Sequence, residues 1–133
     1  APSPWGQMFL DADAGWRRGD LQVILGAGFQ ELFKTMTPAE TANLIGLYDG
    51  EIRYTDEALV GPLVALLRET GLYDRTLIVL TSDHGEKFDD HYGWVHAHTL
   101  YDEEIHVPLM IKFPASRHRG ARIADAVRSV VYV

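Results

Sequence analysis

The second half of the sequence concentrates side chains that could bind a metal ion or move a proton. Asp83 and His84 stand side by side in the segment SDHGE (82–86), which directly follows an apolar run. A carboxylate oxygen next to an imidazole nitrogen suits a divalent cation of the harder kind. An Asp-His pair after a strand is also a common turn arrangement, so these two residues alone leave a metal site and a structural turn both open.

Histidines are concentrated downstream of this pair. The chain has six histidines, and five of them fall between His84 and His106. Clustered polar groups beyond the end of a strand mark functional loops, which favours Asp83, His84 and His96 as site residues. For His98 a site role and a structural role both stay open. His106 directly precedes the second apolar run and is better explained as a surface or structural histidine.

Two apolar runs frame the histidine-rich segment and predict the strands that position it. Residues 76–81 and 107–113 are nearly continuous in apolar and β-branched side chains. Such runs are typical of strands buried on both faces, as in a parallel sheet between helices. We therefore expect Asp83 and His84 to lie at the carboxyl end of a strand, where open α/β sheets place their ligands. Gly85 would let the backbone turn away sharply after them.

A helical half precedes the strands. Thr37 and Glu40 form a capping box with proline at the first helical position, which predicts a helix over residues 38–48. A second helix is predicted over residues 50–70, where apolar side chains recur at three- and four-residue spacing and mark a core-facing stripe. The stripe consists of Ile52, Leu59, Leu63, Leu66 and Leu67. Pro62 lacks an N–H and clashes with the preceding turn, so a kink or break is expected there. Helices followed by strands predict an α/β architecture.

Composition restricts the classes of protein to which the chain could belong. The net charge of −7, from 19 acidic and 12 basic residues, disfavours nonspecific binding to nucleic acid. The sequence contains no apolar run long enough to predict a membrane span. Cysteine is absent, which excludes thiolate ligands and a cysteine nucleophile within these residues.

Five segments, taken in order, resemble the sulfatase family of the alkaline phosphatase-like superfamily. They are YDGEIRYTD (48–56), GLYDRTLIV (71–79), SDHGE (82–86), HAHTLYDEE (96–104) and VPL (107–109). The resemblance covers about residues 48–114, half of the chain. The resemblance implies an alkaline phosphatase-like sandwich with a mainly parallel sheet flanked by helices. It also implies that residues 37–133 form part of a sulfatase-type catalytic domain, after a loop-rich lead-in over residues 1–36.

The resemblance implies a role for each of the site residues. Asp83 and His84 match the pair that ligates Ca²⁺ or Mg²⁺ in sulfatases. His96 matches the lysine or histidine that contacts the sulfate and assists the leaving oxygen, and its neighbour His98 could take that role instead. The usual sequence of the family at this segment is Gly-His-Gly, whereas this chain has Val95 and Ala97 around His96.

The nucleophile of the family has no counterpart in the sequence. Sulfatases carry paired aspartates that complete the metal site and a Cys/Ser-x-Pro-x-Arg motif that supplies formylglycine, and neither matches here. The resemblance therefore implies a sulfuric ester hydrolase, acting on a sulfate ester, whose formylglycine lies upstream. We expect these 133 residues alone to show no turnover. We also expect weak cation binding, because two ligands rarely hold an ion that takes about six to eight oxygens.

Two alternatives remain open. A phosphodiesterase, phosphonate hydrolase or phosphoethanolamine transferase of the same superfamily would share the Asp-His-Gly pattern and differ mainly in the nucleophile. Glu86 and the His-x-His-Thr-Leu-Tyr segment favour a sulfatase. A non-catalytic binding module is the other alternative. It would present a closed polar surface, where part of a larger domain would expose an apolar patch.

Overall fold

The structure is a computed structural model that describes Pro4, Met8, Phe9 and residues 36–91, 93–96 and 99–125. Its elements, in chain order, are α1 (Pro38–Thr55), a π-helical turn (Asp56–Val60), α2 (Gly61–Glu69), a 3-10 turn (Tyr73–Arg75), β1 (Ile78–Thr81), β2 (Lys87–Phe88), β3 (Trp94–Val95), α3 (Asp102–Ile105), β4 (Leu109–Lys112) and a 3-10 turn (Pro114–Ser116). The mixture confirms the predicted α/β class. The predicted lead-in over residues 1–36 falls almost wholly outside the described residues and stays a prediction.

The capping box predicted for α1 is present. The backbone N–H of Glu40 donates to Thr37 Oγ1 (3.3 Å), and the backbone N–H of Thr37 donates to Glu40 Oε2 (2.7 Å). These two bonds satisfy donors that the first turn of a helix leaves free. α1 then continues past the predicted end at residue 48. A glycine such as Gly50 inside a helix costs only about 1 kcal/mol relative to alanine, which is too little to end it.

Helical backbone also passes through Pro62, and the hydrogen-bond register changes just before it. In the π-helical turn the backbone N–H of Gly61 donates to the carbonyl oxygen of Asp56. A proline ring clashes with the carbonyl four residues earlier in an ordinary α-helix. A π turn inserts one residue into the ladder and moves that carbonyl. The predicted disruption at Pro62 therefore takes the form of a π turn rather than a break.

The buried face of α1 is made of small and polar residues. Asn43, Gly46 and Gly50 are buried, and a Cβ on Gly46 would lie 2.4 Å from the carbonyl oxygen of Phe9. The predicted core-facing stripe is wrong for most of its members, because no described element covers that side of the helices. The exposed members and their exposed fractions are Ile52 (55%), Leu59 (62%), Leu63 (49%) and Leu66 (55%).

The two predicted strands are present but shorter, and they pair antiparallel as β1 with β4. The parallel arrangement predicted for this pair is therefore corrected. Parallel strands need a crossover, usually a helix, that returns the chain to the same end of the sheet. Among its described residues, the connection between β1 and β4 holds only two short strands and the four-residue α3. Both-face burial is also not found, since Val79 of β1 and Met110 of β4 are exposed.

Lys112 fastens the end of β4 to the turn that precedes β1. Its Nζ donates to the carbonyl oxygens of Thr76 (3.1 Å) and Tyr73, and it lies 4.0 Å from the centre of the Tyr73 ring. This contact joins the end of β4 to the segment that leads into β1. In the described ranges, no helix combines the length and the apolar character needed to cross a membrane.

Candidate functional site

Asp83 and His84 lie just beyond the end of β1, separated from it by Ser82, as the sequence predicts. The backbone N–H of His84 donates to Asp83 Oδ1 (3.0 Å), and Asp83 Oδ2 lies 3.7 Å from His84 Nε2. Hydrogen bonds from the backbone N–H groups of Asp83 and then His84, together with the nearby imidazole, lower the pKa of the Asp83 carboxyl group. The side chain of Asp83 is 87% exposed. It is therefore an ionised, accessible carboxylate beside an imidazole nitrogen.

The ring of His84 is oriented for ligation. Its Nδ1 lies 2.7 Å from the carbonyl oxygen of Gly85. Because a carbonyl can only accept, Nδ1 carries the hydrogen and Nε2 keeps its lone pair, as in most metal-binding histidines. One divalent ion can bridge His84 Nε2 and Asp83 Oδ2 with ordinary bond lengths of about 2.0–2.6 Å. The donor set present therefore fits a hard divalent cation, as part of its coordination shell.

His96 is brought to the same place by the hairpin of β2 and β3. It follows β3 directly, and its ring stacks on that of His84 with centroids 3.8 Å apart and an interplanar angle of 25°. Val95 just before it has a φ of 66°. That region is unfavourable for a β-branched residue, and Val95 stands where the sulfatase pattern has glycine. The structure thus assembles Asp83, His84 and His96. The backbone of Val95, which directly precedes His96, is strained.

Glu86 lies at the candidate site, although the sequence marks it only as part of the sulfatase pattern. Its Oε2 lies 3.1 Å from His96 Nδ1. Its other oxygen, Oε1, is buried with no hydrogen-bond partner among the described residues. The one signal in the sequence is its position two residues after His84, because the contact itself joins residues ten positions apart across the β2–β3 hairpin.

Ligand atoms of His84, Glu86 and His96 all lie within 4.8 Å of one another, which suggests a three-ligand metal site. The ring geometry argues against it. An imidazole lone pair lies in the plane of its ring, whereas two rings stacked at 25° have no nearby point that lies in both planes. A single ion would need one ring to rotate. The geometry therefore favours the pair of Asp83 and His84 for a cation, with His96 and Glu86 beside it.

Gly85 is required by close packing. Its backbone N–H donates to the carbonyl oxygen of Glu104 (2.7 Å). A Cβ on Gly85 would lie only 2.0 Å from the carbonyl oxygen of Glu103. The sharp turn predicted for Gly85 is not found there, since the chain neither turns nor bends at this residue and its φ is not positive. The glycine instead lets the segment that carries α3 lie directly against the Asp-His pair.

A buried ion pair joins the same two segments. Lys87 Nζ lies 2.8 Å from Glu104 Oε1, and their side chains are 1% and 4% exposed. Glu104 Oε1 also accepts hydrogen bonds from the backbone N–H of Thr99 (3.1 Å) and from its hydroxyl group. The carboxylate therefore satisfies three donors and fixes the loop after His96 against the strand after Glu86.

The remaining histidines have separate positions. His91 stacks on Tyr101 with centroids 4.2 Å apart, and its Nδ1 lies 2.6 Å from Glu103 Oε1. His106 is exposed, in agreement with its interpretation as a surface residue. His98 lies outside the described residues, so its proposed role stays a prediction.

The chain belongs to the sulfatase family, whose model matches residues 25–133. Arylsulfatase K of Bos taurus is 35% identical over 78 residues, which cover 59% of this chain and 14% of that protein. The multifunctional alkaline phosphatase superfamily protein PehA of Trinickia caryophylli is 38% identical over 89 residues, covering 65% of this chain and 16% of that protein.

A solved structure resembles the fold as well. The phosphonate monoester hydrolase SpPMH from Silicibacter pomeroyi superposes with a TM-score of 0.54 at 39% sequence identity, over 62% of this chain and 16% of that one. The chain thus spans only 14–16% of the length of these three proteins.

Proposed function

We propose that this chain supplies the cation-binding pair and the leaving-group acid of a sulfuric ester hydrolase. The observation that carries the proposal is the assembly at the end of β1. There, Asp83 and His84 present an oxygen and a nitrogen 3.7 Å apart, and the His96 ring stacks on His84. Membership of the sulfatase family supports this assignment.

Asp83 and His84 would hold Ca²⁺ or Mg²⁺, with further ligands from outside this chain. When bound, the cation would neutralise the sulfate oxygens and lower the pKa of the nucleophilic hydroxyl group. The low pKa of the Asp83 carboxyl group keeps it ionised. The bond from His84 Nδ1 to Gly85 keeps Nε2 available as a ligand.

His96 would act on the leaving group, with His98 as the other residue that could do so. As the S–O bond of the ester breaks, the departing oxygen gains negative charge and needs a proton. A protonated His96 can donate that proton from Nε2 while its Nδ1–H stays on Glu86. The alcohol leaves, and the sulfur stays bonded to the attacking nucleophile.

That nucleophile, formylglycine in sulfatases, would come from a preceding part of a longer protein. We expect the 133 residues alone to be inactive for this reason. The exposed apolar side chains of α1, α2, β1 and β4 favour part of a larger domain over a closed, non-catalytic binding module.

Phosphonate monoester hydrolysis is the second candidate. The likeness to a protein named as a phosphonate monoester hydrolase, at 39% identity, favours it specifically. Both reactions need a cation and a proton donor for the leaving oxygen. The residues described in this chain therefore fit the hydrolysis of either ester. The relative rates on a sulfate ester and a phosphonate monoester distinguish the two candidate functions.

A His96→Ala variant tests the proposal in a protein that contains the complete catalytic domain. We expect kcat/KM for an aryl sulfate to fall by about 10²–10⁴, the usual contribution of a positioned acid. The same preparation is assayed on a phosphonate monoester, and His106→Ala serves as the exposed-histidine control. A wild-type preference for the phosphonate would favour the second candidate. Unchanged turnover of both esters by His96→Ala would refute the role of His96.

Calorimetry with Ca²⁺ tests the metal assignment on this chain alone. Because only two ligands come from the chain, we expect a dissociation constant weaker than about 10⁻³ M, and no measurable binding by Asp83→Ala. Asp74→Ala, which removes an exposed acid before β1, should leave the weak binding unchanged. Tight binding that Asp83→Ala abolishes would show that the cation site is more complete than proposed.

A further inference from the structure

Glu86 occupies a position from which it can control one particular atom of the site. Its Oε2 lies 3.1 Å from His96 Nδ1, and its side chain is only 20% exposed. A carboxylate has no hydrogen to donate, so the bond requires that Nδ1 carries the hydrogen. In the neutral ring, Nε2 is then the nitrogen without a hydrogen. In the protonated ring, Nε2–H is the donor left free.

A second contact fixes the plane of the same ring. The stack on His84, with centroids 3.8 Å apart, restricts the tilt of the His96 ring. The bond to Glu86 restricts the rotation of the ring within the stack and excludes the flipped orientation. The two contacts together determine which nitrogen faces outward and in which direction. Partial burial strengthens the bond to Glu86, because little water competes for the carboxylate.

We propose that Glu86 is a positioning residue, which holds His96 through Nδ1 so that Nε2 faces the leaving oxygen of the ester. This inference rests on the proposed role of His96 as the proton donor. It assigns Glu86 a task in the reaction without contact to the substrate. During proton transfer the hydrogen leaves Nε2 for the departing oxygen, and the Nδ1–H bond to Glu86 is retained throughout.

The chain contains a matched control for this arrangement. His91 also points Nδ1 at a carboxylate, since Glu103 Oε1 lies 2.6 Å away, and it also stacks on a neighbouring ring. Removing Glu103 should therefore alter the state of His91 and leave that of His96 unchanged.

The test is the distribution of hydrogen between the two ring nitrogens, measured by ¹⁵N NMR at alkaline pH, where imidazole is neutral. In the unchanged chain we expect His96 to carry its hydrogen on Nδ1. Glu86→Ala should shift His96 towards the Nε2–H form, and Glu103→Ala should shift only His91. An Nδ1–H form of His96 that persists in Glu86→Ala, while Glu103→Ala does shift His91, would overturn the proposal.

Two further variants test the proposal even if Glu86→Ala does not fold. Glu86→Gln has nearly the size of the native side chain, but its amide can donate to Nδ1 as well as accept from it. It should therefore weaken the Nδ1–H preference of His96 in a folded chain. Glu86→Asp keeps a carboxylate and should retain more of the preference. Equal Nδ1–H fractions in the native, Gln and Asp forms would also contradict the inference.

Activity separates this inference from the proposed function. In the complete catalytic domain, Glu86→Ala should lower kcat by about 10- to 100-fold with little change in KM. The double variant with His96→Ala should be no slower than His96→Ala alone, because both act through one group. Unchanged turnover by His96→Ala would refute the proposed function, whereas full activity of Glu86→Ala beside an inactive His96→Ala would refute only the role of Glu86.

Discussion

Replacing Glu104 with alanine is expected to lower the free energy of unfolding by about 3–5 kcal/mol. The variant leaves the Lys87 ammonium group, 1% exposed, without the carboxylate that lies 2.8 Å from it in the native protein. It also removes the acceptor for the N–H and hydroxyl groups of Thr99. An uncompensated buried charge carries most of the expected loss, because desolvation of an ammonium group is costly without a partner.

The free energy of unfolding is measured by urea denaturation, with Glu57→Gln as the control. Glu57 forms an ion pair with Arg53 on the surface of α1 and the π-helical turn. Because solvent screens an exposed pair, its loss should cost less than about 1 kcal/mol. Equal effects of the two variants would show that burial does not set the strength of the pair with Lys87.

A Lys87→Met, Glu104→Gln double variant separates the net stabilisation by the ion pair from the cost of leaving one buried charge unpaired. A well-packed neutral replacement of a buried pair is often close to neutral in stability. We therefore expect the double variant to be more stable than Glu104→Ala. After Glu104→Gln, the side-chain carbonyl oxygen can still accept hydrogen bonds from the N–H and hydroxyl groups of Thr99. A double variant as unstable as Glu104→Ala would show that the intact ion pair itself carries the stability, because the double variant retains the Thr99 bonds and leaves no unpaired charge.

Replacing Gly85 with alanine is the prediction with the second-largest effect. The added Cβ would meet the carbonyl oxygen of Glu103 at 2.0 Å, so one backbone must move. We expect a loss of about 3 kcal/mol in the free energy of unfolding, at the upper end of the usual range for overpacking. The hydrogen bond from the Gly85 N–H to Glu104 would lengthen, and the carbonyl oxygen that orients His84 would shift with it.

Gly120→Ala provides the comparison for Gly85→Ala. Gly120 has a φ of 76° and open space where a Cβ would stand, so its replacement tests backbone strain without a clash. That strain should cost about 1–2 kcal/mol. Two-dimensional NMR spectra should also show shifts of the His84 and His96 ring signals in Gly85→Ala only. A Gly85→Ala protein with native stability and native ring signals would contradict the close approach.

Local interactions account for what could be predicted from the sequence. The capping box of Thr37 and Glu40 joins residues three positions apart, and it is present at the start of α1. The placement of Asp83 and His84 after β1 follows from the chain itself, because adjacent residues cannot separate. The family was also predictable, since the five segments depend on order and spacing along the chain.

The burial of helix faces and the direction of strand pairing were less predictable, because both depend on the elements that pack against them. The stripe through Ile52 and Leu63 has the spacing of a core-facing surface, yet both residues are exposed. Periodicity shows which residues share a face, but burial requires an element to cover that face. The direction in which β4 pairs with β1 depends likewise on the connection between them.

By itself, the sequence determined the α/β class, the sulfatase family and the position of Asp83 and His84 at the end of β1. Only the tertiary structure brought His96 to His84, placed Glu86 on His96 Nδ1 and buried Lys87 against Glu104. These contacts join residues separated by ten or more positions in the chain. They depend on the fold of the hairpin and on the close approach at Gly85, and no local pattern of residue types specifies such distances.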